Sequence, residues 1–244
     1  MRKGEKSMCH NWKKIWGSRK ADISILNSED EASRFLEMKR INGNDITDDI
    51  SYEAYLKHYQ MLKDILNLRA GDSVFEVGCG CGANLYLFRK DDISIGGIDY
   101  SPAMLEILSG ILPQGSMKEC VCGEAVQMPV NIKYDAVFCY GVCQYFKDLQ
   151  YAEQVLERMM EKSKRVFSIM CVHDSAKERA FGENRRRLDT NYDQRYRDLP
   201  KLFYPKQFFR DFAGLHNLAI KITKIPLQGF WNEPYVYDCF FYKE

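Results

Sequence analysis

The sequence predicts an α/β fold built on a mostly parallel sheet, and three observations predict it. The run Val74-Phe75-Glu76-Val77 is a β-type apolar stretch holding one acid; it ends in glycines at alternate positions, Gly78, Gly80 and Gly82, before a helical pattern with Leu85, Tyr86, Leu87 and Phe88. Strand, tight turn and helix in that order give a ligand close access to backbone and a helix N-terminus with free N–H groups. From 73 to 171 strand-like and helix-like runs alternate, the mark of parallel strands joined by crossover helices. Two further strands are read at 218–225 and 236–242, joined by a segment containing Gly229, Trp231 and Pro234.

Residues 1–27 are basic and place Trp12 and Trp16 four apart, on one helix face. This stretch reads equally as an arm packed on the body or as a lid over a site. Ser28 and Glu31 have capping-box spacing. They predict a helix with Ala32, Phe35 and Leu36 on one face, closing through Lys39 and Arg40 to Gly43. Residues 44–50 read as an Asp/Asn-rich loop. Ser51 opens a helix with a stripe of Tyr52, Tyr55, Leu56, Tyr59, Leu62 and Ile65. Arg69 to Asp72 form the turn into the first strand.

The second strand is expected at 93–98, followed by Ser101 as N-cap and Pro102 as first helical residue. Strands follow at 117–121, 134–140 and 165–171. A helix at 149–161 is expected to bury Leu149, Ala152, Leu156 and Met159. Residues 173–204 break the rhythm, being polar and arginine-rich, with Arg185, Arg186, Arg187, Arg195 and Arg197. They read as a surface insertion; it rises from the same sheet edge as the preceding loops, where it could also wall a substrate site. Tyr204-Pro205 then starts a helix carrying Phe208, Phe209 and Phe212.

At 244 residues the chain suits one α/β domain with additions. We divide it into a helical arm or cap at 1–50 and a main domain at 51–244 that contains the 173–204 insertion. A hydrophobic content of 45% with 28% charged residues is that of a soluble globular protein. The net charge of +1 gives no broad basic face, so a nucleic-acid partner is not expected. No apolar run reaches membrane-spanning length, and no apolar segment follows the basic N-terminus, so neither a membrane nor a signal peptide is expected. The nine cysteines are odd in number and lie mostly in apolar runs, which suits the reducing cytoplasm. The pairs Cys79/Cys81 and Cys120/Cys122 are spaced more tightly than structural zinc ligands, so no metal is expected.

The Gly-x-Gly-x-Gly loop differs from the Gly-x-Gly-x-x-Gly of dinucleotide sites. An acid inside the strand, Glu76, is followed 23 residues later by Asp99, which ends the next strand. This pair with the glycine loop resembles the cofactor motifs of class I S-adenosylmethionine-dependent methyltransferases. The resemblance implies a Rossmann-like, seven-stranded, mostly parallel sheet with an antiparallel last strand, an N-terminal helical cap and an insertion after the fifth strand. It implies S-adenosylmethionine as cofactor and S-adenosylhomocysteine as product. Gly78, Cys79, Gly80, Gly82 and Asn84 would form the loop against its methionine and ribose parts. Glu76 would meet its amino group, or hold the loop. Asp99 would take both ribose hydroxyls, two acceptor oxygens for two donors. Tyr100 and Met104 would flank the adenine, with Gly123, Glu124 and Ala125 beside it. Tyr140, Gly141 and Val142 would surround the methionine tail and the methyl group.

The Trp-bearing arm, the Gly141-Val142-Cys143-Gln144-Tyr145-Phe146 stretch, the insertion and the Tyr204-Pro205 helix are similar, more loosely, to bacterial small-molecule methyltransferases. That likeness implies a small-molecule acceptor methylated on O or N. His173, beside Asp174 after the fifth strand, is the candidate general base, and Tyr145 the second catalytic candidate. Trp16, Tyr145, His173 and Tyr204 are the candidate acceptor-binding residues. The competing readings are an RNA or protein methyltransferase, a non-catalytic S-adenosylmethionine-binding protein, and a nicotinamide-dependent oxidoreductase.

Overall fold

In the computed structural model of the chain, residues 8–43, 49–113 and 115–243 are described, with side chains from Trp12 onward. The basic start at 1–6 and most of the expected 44–50 loop lie outside the described residues.

Seven strands form one sheet: β1 (Ser73–Val77), β2 (Ser94–Asp99), β3 (Met117–Cys122), β4 (Tyr134–Tyr140), β5 (Ser163–His173), β6 (Ala219–Thr223) and β7 (Val236–Tyr242). Their order is β3-β2-β1-β4-β5-β7-β6. The first five run parallel, and β7 lies antiparallel between β5 and β6. This is the sheet of the Rossmann-like methyltransferase fold. The chain leaves β1 toward β2 on one side and returns to β4 on the other, so the strand order reverses at β1/β4. A crevice opens beyond the carboxyl ends of the strands at such a reversal.

The helices are α1 (Met8–Gly17), α2 (Ile23–Leu26), α3 (Glu31–Ile41), α4 (Tyr52–Ile65), α5 (Ala83–Lys90), α6 (Pro102–Ile111), α7 (Leu149–Lys162), α8 (Glu178–Leu188), α9 (Tyr192–Arg195) and α10 (Lys206–Leu215). Alternation along the strands feeds two apolar layers. Phe75, Val137 and Phe167 join Met159 of α7 and Phe209 of α10 on one face. Val74, Ala136 and Phe138 join Leu62 of α4 and Phe88 of α5 on the other. Both faces of the parallel strands are therefore covered. Ser51 caps α4 through Ala54 N–H, and Ser101 caps α6 with Pro102 in the first turn, as expected from the sequence.

Some expectations need correction. The N-cap of α3 is Asp30, not Ser28: its carboxylate accepts the Ala32 and Ser33 N–H groups, while Ser28 Oγ accepts the Asp30 N–H at 3.1 Å. A carboxylate serves two orphan donors where one hydroxyl serves fewer. Leu36, Leu56 and Leu149 are exposed. Leu149 sits just past the Asp148 cap, and the buried stripe of α7 starts at Ala152. The fifth strand runs longer than expected, to His173. A register shift lies between Ile169 and Val172, where Cys171 adopts φ +57° and donates its N–H to Asp238 at 2.8 Å. The insertion is largely helical. Arg185 of α8 is buried and its guanidinium stacks 4.8 Å from Trp231 and 5.3 Å from Tyr192, an arrangement worth more when desolvated.

Candidate cofactor and acceptor site

The turn after β1 builds the centre of the crevice. Gly78, Gly80 and Gly82 take φ of +75°, +54° and +80°, a region costly to residues with a Cβ. Space forbids one as well: a Cβ on Gly78 would lie 2.4 Å from Val142 Cγ2, and on Gly80 2.3 Å from Asn42 Oδ1. Gly78 and Cys79 donate N–H to the Ile98 carbonyl at 2.8 and 3.1 Å. Gly80 donates to Asp99 Oδ2 at 2.9 Å, and Cys81 donates to Asn42 Oδ1 at 3.0 Å. The loop is thus strapped to the end of β2 and to the end of α3.

Asp99 Oδ1 also accepts the Ser101 N–H at 2.9 Å. Each oxygen keeps a further lone-pair site, so two adjacent hydroxyls remain acceptable partners. Burial holds the Asp99 carboxyl above its ordinary value.

Glu76 is buried in β1. Asn84 Nδ2 donates to its Oε1 at 2.6 Å, while Oε2 is buried with no partner. Asn84 Oδ1 in turn accepts from Lys39 Nζ at 2.6 Å. The Lys39 ammonium lies 4.8 Å from the Tyr55 ring, 5.4 Å from Phe35 and 5.7 Å from Tyr140. Burial pushes the Glu76 carboxyl up and the Lys39 ammonium down, each partly restored by the other's charge. An uncompensated buried oxygen is costly in the absence of a donor, which makes Glu76 Oε2 a receptor for one.

On the β3 side, Glu124 Oε2 accepts from Tyr151 at 3.2 Å, and its other oxygen pairs with Lys13 of α1. Lys13 also lies 5.5 Å from the Tyr100 ring centroid. The arm therefore crosses the two residues expected beside an adenine. Gly123 donates its N–H to the Asp99 carbonyl at 3.0 Å, and Ala125 opens a single short turn capped by Glu124 and Gln127.

Past β4, Gly141 takes φ +66° and donates its N–H to the Met170 carbonyl at 3.1 Å. Tyr140 forms an edge contact with His58 at 5.6 Å. Tyr145 is half-buried beneath both indoles of the arm, 4.5 Å from Trp12 and 5.6 Å from Trp16. Trp12 Nε1 donates to the Pro200 carbonyl at 3.1 Å, tying the arm to the insertion.

The remaining expected residues sit differently. The Cys79 side chain is buried behind the loop against Gly97, where a Cβ would come 2.8 Å from its sulfur. Met104 is buried against Met38, Ile41 and Leu26, so it carries the N-terminal helices instead of an open crevice wall. Tyr204 is fully buried and spends its hydroxyl on the Cys143 carbonyl at 2.7 Å, which makes it a strut and withdraws it from substrate contact. His173 is 1% exposed, packed in a three-ring cluster with Phe181 and Phe203, with Nε2 3.1 Å from Asn232 Nδ2. Burial, reinforced by Lys201, pushes its pKa down to about 3, so the ring is neutral but enclosed. Among the described residues no group of three or more His, Cys, Asp or Glu is arranged to hold a metal; Cys120 and Cys122 lie exposed on edge strand β3.

Sequence reasoning missed Lys39, Asn42, Lys13 and Asn232 as site residues. Lys39 shares a helix face with Phe35, four residues apart, and Asn42 sits at a helix end. Neither pattern distinguishes a site from a surface.

The family described as a methyltransferase domain matches residues 75–164, the segment that contains Glu76, the glycine loop, Asp99 and the end of β4. This segment is a methyltransferase domain. No curated protein matches the chain by sequence. Among solved structures, the chain is similar to the magnesium protoporphyrin IX methyltransferase of Synechocystis PCC 6803 with bound S-adenosylmethionine. That match has 15% identity and a TM-score of 0.57, and covers 95% of this chain and 97% of the other. It is similar to the N-methyltransferase NodS of Bradyrhizobium japonicum WM9 in complex with S-adenosylhomocysteine, at 15% identity and TM-score 0.59, over 86% of this chain and 97% of the other. It is also similar to an S-adenosylmethionine-dependent methyltransferase from Clostridium acetobutylicum ATCC 824, at 11% identity and TM-score 0.58, over 80% and 92%. At such identities the likeness is one of fold. Within the methyltransferase domain the fold places the glycine loop and Asp99 at neighbouring strand ends. No helix among the described residues is long and apolar enough to cross a membrane.

Proposed function

We propose that this methyltransferase uses S-adenosylmethionine to methylate O or N of a small-molecule acceptor, between the end of β4 and the insertion. The observation that carries the cofactor reading is the unpartnered Glu76 Oε2 behind a loop of three positive-φ glycines, with Asp99 at the next strand end. An ammonium answers that oxygen, and adjacent ribose hydroxyls answer Asp99. When bound, S-adenosylmethionine supplies an electrophilic methyl group on a cationic sulfur.

The chain's own part is binding, orientation and exclusion of water. Orientation alone contributes on the order of 7–11 kcal/mol to such a displacement. Tyr140 presents an aromatic face suited to a cation. Trp12, Trp16 and Tyr145 cover the β4 turn, and residues 1–50 serve as its cap. Tyr145 and Trp16 are assigned to the acceptor. His173 is neutral, as a base must be, but its ring faces Phe181, Phe203 and Asn232 here. An amine arriving uncharged requires no strong base, and that case fits the enclosed histidine best.

The test is incubation with methyl-labelled S-adenosylmethionine and pools of small amines and hydroxyl compounds, with RNA and protein pools alongside. Label in a small-molecule pool, lost in Tyr145→Ala, is the expected result. Label only in RNA or protein would replace the acceptor class. Tight cofactor binding with transfer to nothing would favour a binding protein.

A further inference from the structure

The insertion contains a groove of about 610 Å³, formed entirely by residues of 178–203. That volume falls within the ~300–1,000 Å³ of small-molecule sites. We infer that this groove is the acceptor's binding site and that it selects a ring-bearing compound with a negatively charged group. The inference rests on the methyltransferase reading above and names the acceptor class for the same site.

Its walls carry flat apolar surface and cations. Tyr196 and Phe203 line it, with the buried Phe181 at its floor; the Phe181 and Phe203 rings stand 5.4 Å apart, 70° between planes. Arg179, Arg186, Arg197 and Lys201 also line it. Arg179 pairs with Glu183, and Arg186 with Asp193. Glu178 adds one more acid to the lining. Lys201 lies 5.4 Å from the Phe181 ring. The exposed Arg197 guanidinium has no ion pair or hydrogen bond among the described residues. Aromatic rings, a lysine and the Arg197 guanidinium in one lining suit a planar anion, since guanidinium bonds carboxylate and phosphate in a fork and stacks on rings.

The groove's rim touches the arm that covers the transfer site. Pro200 lines it and accepts the Trp12 indole N–H at 3.1 Å. Trp12 packs on Tyr145, in the turn whose Val142 abuts Gly78. Trp12 and Tyr145 stand between the groove and the glycine loop, so an acceptor seated on the insertion would reach the loop with the arm displaced from Tyr145. Its charged end would stay on the Arg197 side, away from the reacting atom.

The test uses two probes of one shape and opposite charge, 3-phenylpropanoate and 3-phenylpropylammonium. Each is titrated against the full chain and followed by tryptophan fluorescence, while S-adenosylhomocysteine affinity is measured separately by calorimetry. We expect saturable binding of the carboxylate at least tenfold tighter than of the amine. Arg197→Glu, on an exposed position, should erase or invert that preference without changing S-adenosylhomocysteine affinity. No saturable carboxylate binding, or a preference that survives both Arg197→Glu and Lys201→Glu, would overturn the inference. Arg197-dependent carboxylate binding by a chain that never binds S-adenosylhomocysteine would instead remove the donor reading and, with it, the acceptor role of the groove.

Discussion

The side-chain oxygen of Asn42 accepts the backbone N–H of Cys81 at 3.0 Å. This bond joins the last turn of the N-terminal helices to the glycine loop, and Met38 of α3 supports it by accepting the Cys81 thiol at 3.3 Å. The loop's conformation is therefore shared between the sheet and α3. Replacing Asn42 by Ala should loosen the loop and weaken cofactor binding by about 1 kcal/mol, the net worth of one hydrogen bond. Faster hydrogen exchange at the Cys81 amide in the folded variant is the accompanying check.

Glu76 is predicted to oppose stability while serving binding. Its Oε2 is buried without a partner and burial penalises its ionised form, so Glu76→Gln, which cannot ionise, should leave thermal stability equal or higher. The new amide would present donors where an ammonium's donors are expected. Cofactor affinity should fall by roughly 1.5–3 kcal/mol, as for lost bonds to a charged acceptor. Calorimetry and a melting curve on one preparation separate the two effects.

Gly78→Ala meets two obstacles, a φ of +75° and a Cβ 2.4 Å from Val142 Cγ2. It should cost about 1–3 kcal/mol of stability by overpacking and strain. Adding Val142→Ala removes both Cγ contacts and leaves Val142 Cβ at 3.2 Å and the dihedral strain in place, so denaturant titration should show partial recovery. Full recovery would mean that the dihedral is relaxed.

Buried histidines set one part of the pH dependence. Burial pushes the His58 pKa down to about 4, helped by Lys39, and that of His173 down to about 3. The unfolded chain titrates them near pH ~6.5. Between those values the unfolded state binds more protons, so this contribution is complete above pH ~6.5 and shrinks as the pH falls. Glu76 and Asp238 act oppositely: burial raises their pKa values, to about 8 and about 6. Their contribution is present in acid and is lost as the pH rises. His58→Phe isolates the histidine effect, since the acids are common to both proteins. Between pH 6.5 and 4.5 the variant should lose less melting temperature than the parent; parallel curves would contradict it.

Much of the fold was legible because the patterns that encode it are local. Val74 to Val77 and Tyr134 to Tyr140 have strand composition, Pro102 and Ser101 mark a helix start, and the Glu76 to Asp99 spacing places two acids at adjacent strand ends. What stayed hidden depends on distant partners. Arg185 looks like part of a solvated arginine run, yet Trp231 and Tyr192 bury it and so order α8. His173 resembles an accessible base in sequence, but Phe181 and Phe203 arrive from the insertion to enclose it. Lys39 reads as an ordinary C-terminal helix lysine, whereas the aromatic rings of three separate elements surround its ammonium.

The most direct test of the central claim is calorimetric titration of the folded protein, and of Asp99→Ala, with S-adenosylmethionine and S-adenosylhomocysteine. Asp99 holds Gly80 and Ser101 and keeps acceptor capacity toward two hydroxyls. Both compounds should bind in the micromolar range, with affinity weakened by roughly 1.5–3 kcal/mol in the variant. Binding of neither compound by folded protein, or equal affinity in folded Asp99→Ala, would contradict it.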